Sequence, residues 1–156
     1  YGLETSQQAR QLAREVVSVL GGGEPAYSLL VETAAAETLL GSFPDVHEDR
    51  LGVGLCQHDE INLKDIKQEG EQRHFNLIKQ HWGYDVPSLD LADLAYDPLL
   101  SLILCRLSYK RIPAAIPADL RGRAEYWKEY YNTAAGKGSV NEYLHRVLHC
   151  LGEDWA

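Results

Sequence analysis

Not one methionine occurs in the 156 residues, so Tyr1 is read as a processed or internal start rather than a translational one. Cysteine is scarce and odd in number. Cys56, Cys105 and Cys150 are too widely spaced for a disulfide framework or a zinc-ligand pattern. All three are expected as reduced thiols, with Cys105 and Cys150 packing as small apolar side chains. No run approaches the roughly 18 apolar residues of a membrane span. The opening Tyr1-Gly2-Leu3-Glu4-Thr5 has neither the basic head nor the apolar stretch of a signal peptide. Positive charge is in deficit as well. A net charge of -8 with no basic stripe argues against nucleic acid as the main partner. No segment alternates as a half-buried strand would, and no internal repeat or linker is visible.

What is present is 45 % hydrophobic and 24 % charged, the balance of an ordinary globular domain with one sizeable core. Helical spacing recurs along the chain. Thr5-Ser6-Gln7-Gln8 has the form of a capping box, Leu12, Val16, Val17 and Leu20 follow on one face, and Gly21-Gly22-Gly23 stops the helix. Pro25 suits the first turn of a second helix with Tyr27, Leu30, Val31 and Ala34 along a stripe, ending near Gly41. Ser42 to Gly54 is turn-rich, and Leu55 to Gln80 reads as one or two polar helices broken near Gly70.

Asp97-Pro98 is a strong helix start. The run Leu99 to Cys105 after it is apolar nearly all round, as in a buried central helix. Arg121 to Tyr131 is a further helix with Tyr126, Trp127, Tyr130 and Tyr131 on a dense aromatic face, more of it core than sugar platform. Ser139-Val140-Asn141-Glu142 is a second capping box and opens the last helix. The expectation is a single all-α domain over residues 1–156, of about six to eight helices.

One carboxylate stands out. Glu37 shares a helix face with Leu30, Ala34 and Gly41, so it should project from the core side. Glu32, pointing elsewhere, is read as an ordinary solvated carboxylate. A carboxyl held against apolar neighbours keeps its proton more readily, as a general acid requires. The plain alternative is a structural hydrogen bond at a helix end. Gly52-Val53-Gly54-Leu55-Cys56-Gln57 follows, where glycines would let backbone approach a ligand and Gln57 offers both donor and acceptor. Much later, Tyr131-Asn132-Thr133-Ala134-Ala135-Gly136 ends the aromatic helix in a loop.

In order, these pieces resemble the motifs of the lytic transglycosylase family, the group related to goose-type lysozyme within the lysozyme superfamily. That family carries E-S at a helix end, then G-x-x-G-L-x-Q, then Y-N-x-G, and its D-P segment resembles Asp97-Pro98. The resemblance runs from about Ala26 to Leu151. Thr38 replaces the usual Ser and keeps the hydroxyl, the loop between Glu37 and Gln57 is slightly longer, and two residues separate Thr133 from Gly136. Residues 58–96 have no counterpart and are expected to shape the groove in their own way, with 1–24 as an added N-terminal helix. Departures of this kind resemble those of phage-encoded or virion-borne lysins.

The resemblance implies a lysozyme-like fold with a substrate groove, and cleavage of the peptidoglycan glycan strand in the bacterial periplasm or cell wall, without a cofactor. Glu37 would be acid and then base, with Thr38 orienting it. Leu55 and Gln57 would hold the sugar, Tyr131 would bond near the acid, and Asn132 would order the loop. Glu48, Asp49 and Asp59 are the candidates for a second carboxylate, which would make the enzyme a hydrolysing muramidase. Otherwise they are solvated loop charges. A non-catalytic glycan-binding or structural domain of a virion is the rival from another class. His145 and His149 lie one turn apart on a helix without a third ligand, so no metal site is expected. His58 is either a groove residue or, more simply, a surface histidine.

Overall fold

A computed structural model describes residues 1–42, 52–133 and 136–155 of the chain. Among these residues the fold is all-α, with seven α-helices and no strand. They are α1 (Ser6–Leu20), α2 (Gly23–Thr38), α3 (Glu60–Glu69), α4 (Gln72–Trp82), α5 (Pro98–Lys110), α6 (Leu120–Trp127) and α7 (Val140–Leu151). Short 3-10 turns at Val86–Ser88, Leu91–Leu94 and Glu153–Trp155, and a π turn at Lys128–Asn132, complete the helical content.

The caps work as their side chains dictate. Thr5, Asp97 and Ser139 accept the amides of Gln8, Leu100 and Glu142 respectively, satisfying donors that a first turn leaves unpaired. Gln8 reaches one residue further back than a capping box demands, onto the Glu4 amide at 2.8 Å. Tyr84 donates to the other oxygen of Asp97 at 2.7 Å and so fixes that cap from the preceding loop.

Two helices form the centre. Leu100 through Tyr109 of α5 are all buried, as the apolar run requires. α2 is buried on nearly every side, not along one stripe, because α1, α5 and α7 all pack against it. That placement overturns the solvated reading of Glu32, which is 0 % exposed. Its carboxylate receives a bidentate pair from Arg123 at 2.9 and 2.8 Å, the Tyr143 hydroxyl at 2.7 Å and the Trp155 indole N–H at 2.7 Å. A buried charge needs that many donors to be tolerated. Thr33, one residue on, bonds Tyr109 of α5 at 2.8 Å, so the polar residues of α2 tie it to its neighbours.

Candidate active site at the end of the second helix

α2 ends in an uncommon way. Leu39 and Leu40 adopt left-handed backbone at φ 49° and 55°, followed by Gly41 at 78°. Their amides bond back to the Ala35 and Ala34 carbonyls, and Arg146 of α7 donates to the Ala36 carbonyl at 2.5 Å. Three carbonyls near the helix end, those of Ala34, Ala35 and Ala36, are thereby satisfied. Glu37 sits in this turn, half-buried. The Trp127 indole N–H, at the end of α6, donates to Glu37 Oε1 at 3.2 Å.

Thr38 does not bond Glu37. Its buried hydroxyl donates to the Leu55 carbonyl at 2.8 Å and accepts the Gly41 amide at 3.0 Å. It thereby clamps the helix end to the Gly52–Gln57 loop. That loop is a tight turn closed by an antiparallel bridge between Val53 and His58, with N–H···O distances of 2.7 and 3.0 Å. Its glycines answer to packing more than to a ligand. Gly54 has φ +80°, and a Cβ there would lie 2.4 Å from the Leu94 carbonyl. A Cβ on Gly52 would strike the Gln57 side chain.

Gln57 itself is left-handed at φ 54°, with its Nε2 on the Gly54 carbonyl at 2.9 Å. Its Oε1 is buried and has no hydrogen-bond partner among the described residues. Leu55 is fully buried, so its carbonyl faces Thr38 while its side chain fills the core.

The base of the loop is bolted to α5. The Cys56 amide donates to Ser101 Oγ at 3.0 Å. His58 is neither a groove residue nor a surface histidine: it is 1 % exposed, with Nε2 on the Ser101 carbonyl and Nδ1 on the Asn62 amide, each at 2.9 Å. Asn62 can only donate there, so Nδ1 accepts and Nε2 carries the proton. Burial lowers His58 to about 4, against smaller opposing effects of the Ser101 carbonyl and Asp59.

Tyr131, in the π turn after α6, donates to the Cys56 carbonyl at 2.6 Å and stacks on Tyr109 with centroids 5.2 Å apart. Burial, then the neighbouring Cys105, Cys56 and Glu37, pushes its phenol well above the ordinary range. It is a hydrogen-bond donor, not an acid. Asn132 accepts Lys128 Nζ at 2.7 Å, and the same ammonium holds the Thr133 and Gly136 carbonyls at 2.9 and 3.1 Å. Lys128, a residue not singled out from the sequence, thus ties Asn132 to Thr133 and Gly136.

The remaining candidates divide. Asp59 caps α3 by accepting the Asn62 amide at 2.7 Å. Glu48 and Asp49 lie outside the described residues. His145 and His149 are exposed, and no group of three or more metal-ligating side chains is found among the described residues. Cys56 and Cys105 are buried free thiols, and burial beside Cys56 pushes Cys105 well up, which makes it inert. Cys150, half-buried and also free, is raised by burial.

A cleft of about 320 Å³ opens between Leu3–Ser6, the turn at Leu39–Ser42 and the end of α7, and none of the predicted site residues lines it. The arrangement around Glu37 is thus a half-buried carboxylate on a helix end, flanked by a buried indole and a fixed turn bearing Gln57. Trp127, weighed from the sequence only as core or sugar platform, meets the carboxylate instead, and Arg123 and Lys128 are not singled out by the sequence at all. For Trp127 the signal was its place in the aromatic helix, one turn before Tyr131. No family model, no curated protein and no solved structure matches this chain.

Proposed function

We propose that the chain cleaves the β-1,4 bond between N-acetylmuramic acid and N-acetylglucosamine in peptidoglycan, by lytic transglycosylation with Glu37 as acid and base. The observation that carries this reading is the convergence of three sequence-distant pieces on the end of α2. Glu37-Thr38, the Gly52–Gln57 turn and Tyr131-Asn132 are joined by Thr38 to the Leu55 carbonyl and by Tyr131 to the Cys56 carbonyl.

In the proposed reaction Glu37 gives its proton to the glycosidic oxygen as the C1–O4 bond breaks. The C6 hydroxyl of the same muramic residue then bonds to C1, and its proton passes to the Glu37 carboxylate. The product is a 1,6-anhydro end, and the acid is regenerated. No second carboxylate is needed, unlike the paired-acid route of most glycosidases. Asp59, occupied as a helix cap, is poorly placed to be one. Gln57, half-buried on this turn, carries the side-chain amide that would pair with an N-acetyl or hydroxyl group once its buried Oε1 turns toward the sugar.

Mass spectrometry of digested sacculi tests the reaction. Anhydro ends are expected from the wild type; reducing ends would replace transglycosylation by hydrolysis.

A further inference from the structure

We infer that Trp127 is a positioning residue for Glu37, and that the buried Glu32–Arg123 pair sets the helix register that brings the two together. The catalytic part rests on the reading of Glu37 as the acid; the structural part does not. All three tryptophans of the chain donate their indole N–H to a glutamate, Trp82 to Glu15, Trp155 to Glu32 and Trp127 to Glu37. Glu15 lies near the surface and Glu32 is enclosed by four donor contacts. Only the third indole meets a carboxylate at the candidate site.

The geometry behind that contact is a two-rung ladder. Arg123 and Trp127 are one turn apart on α6, a rise of about 6 Å, and Glu32 and Glu37 are five residues apart on α2, about 7.5 Å. One rung is Arg123 to Glu32 at 2.9 and 2.8 Å; the other is Trp127 to Glu37 at 3.2 Å. Tyr143 of α7 links them, since its hydroxyl bonds Glu32 while its ring packs on Trp127 with centroids 5.1 Å apart. Arg123 is held in turn by the Ala118 carbonyl at 2.6 Å, so the lower rung cannot swing.

An indole only donates. It holds a carboxylate oxygen in one orientation and offers no acceptor to compete for the acid's proton. At 3 % exposure Trp127 has almost no surface for a sugar to touch. Loss of its N–H should therefore appear in kcat and not in KM.

The test uses the full chain with 15N-labelled tryptophan. Three indole N–H resonances are expected in the wild type, and Trp127→Phe identifies one of them by its loss. That resonance should shift in Glu37→Gln while the other two shift less; in Arg123→Lys it should shift together with that of Trp155, which shares Glu32, while that of Trp82 stays put. On soluble glycan strands Trp127→Phe should lower kcat roughly ten- to hundredfold, the worth of one hydrogen bond to a charged group, with KM within about twofold.

An indole resonance that ignores Glu37→Gln overturns the proposal. So does a Trp127→Phe variant that keeps full kcat, or one that changes KM alone. Should Arg123→Lys fail to fold, the Trp127→Phe and Glu37→Gln arms still decide the contact. A wild type without activity on glycan strands would instead sink the glycosidase reading and the catalytic part with it, leaving the resonance arm to judge the ladder.

Discussion

At the scale of single residues, the molecule is governed by buried polar groups whose partners come from far along the chain. Glu32 is bonded by Arg123, Tyr143 and Trp155, at sequence separations of 91, 111 and 123 residues. Removing Arg123 would leave a fully buried carboxylate with the Tyr143 and Trp155 donors but no countercharge, so Arg123→Ala is expected to lose about 3–5 kcal/mol of stability in urea unfolding. Replacing the pair with apolar residues of similar volume should cost far less, which separates burial of a lone charge from loss of packing.

His58 makes a pH prediction of definite sign. It is held neutral in the folded chain at about 4 and titrates near 6.5 when unfolded, so the unfolded state binds the extra proton as pH falls. Stability from this residue is complete above pH 6.5 and is lost on the way down to about 4. From pH 8 to pH 5 the loss is roughly 2 kcal/mol. His74, lowered chiefly by burial and next by Lys110, adds in the same direction. Denaturant midpoints across that range should flatten in His58→Gln; an unchanged slope would show that another group carries it.

At the scale of elements, the decisive piece is the turn of residues 52–58, held from three sides by Thr38, Ser101 and Tyr131. Gly54→Ala would place a methyl 2.4 Å from the Leu94 carbonyl at a backbone angle of φ +80°. The expected cost is about 2 kcal/mol or more, read as a lowered thermal midpoint. Activity should fall further than folding, because the turn presents Gln57. Tyr131→Phe keeps the ring stack on Tyr109 and loses the hydroxyl's bond to the Cys56 carbonyl, so its cost should be about 1 kcal/mol.

The elements themselves were readable from the chain. Thr5, Asp97-Pro98 and Ser139 announce helices that form where expected, and the break at Gly70 separates α3 from α4. The corrections come from packing between elements that are far apart in the chain. A helical wheel allots each helix one buried face, but α2 is buried nearly all round, so Glu32 could not be solvated. His58 is buried against Ser101, 43 residues away, on a helix whose position only the packed core decides. The motif pieces around Glu37 were visible as residue types. Thr38's attachment to Leu55 and Trp127's to Glu37 depend on how α6 and the turn are brought to the end of α2.

At the scale of the whole molecule, one continuous apolar cluster draws residues from every helix, from Ala9 of α1 to Leu151 of α7. Among the described residues no helix is long and apolar enough to cross a membrane. The core fixes α2 and α5 at the centre, and the candidate acid emerges where α2 leaves that core. The proposed reaction therefore needs Glu37 as a chemical group and not only as part of the fold. The most direct measurement compares wild type and Glu37→Gln, matched for thermal midpoint, on purified peptidoglycan sacculi, with the released fragments identified by mass. Fragments with 1,6-anhydro ends are expected from the wild type and at least a hundredfold fewer from Glu37→Gln, the scale of losing a general acid. Equal release by both proteins, or release by neither, would contradict the proposed reaction.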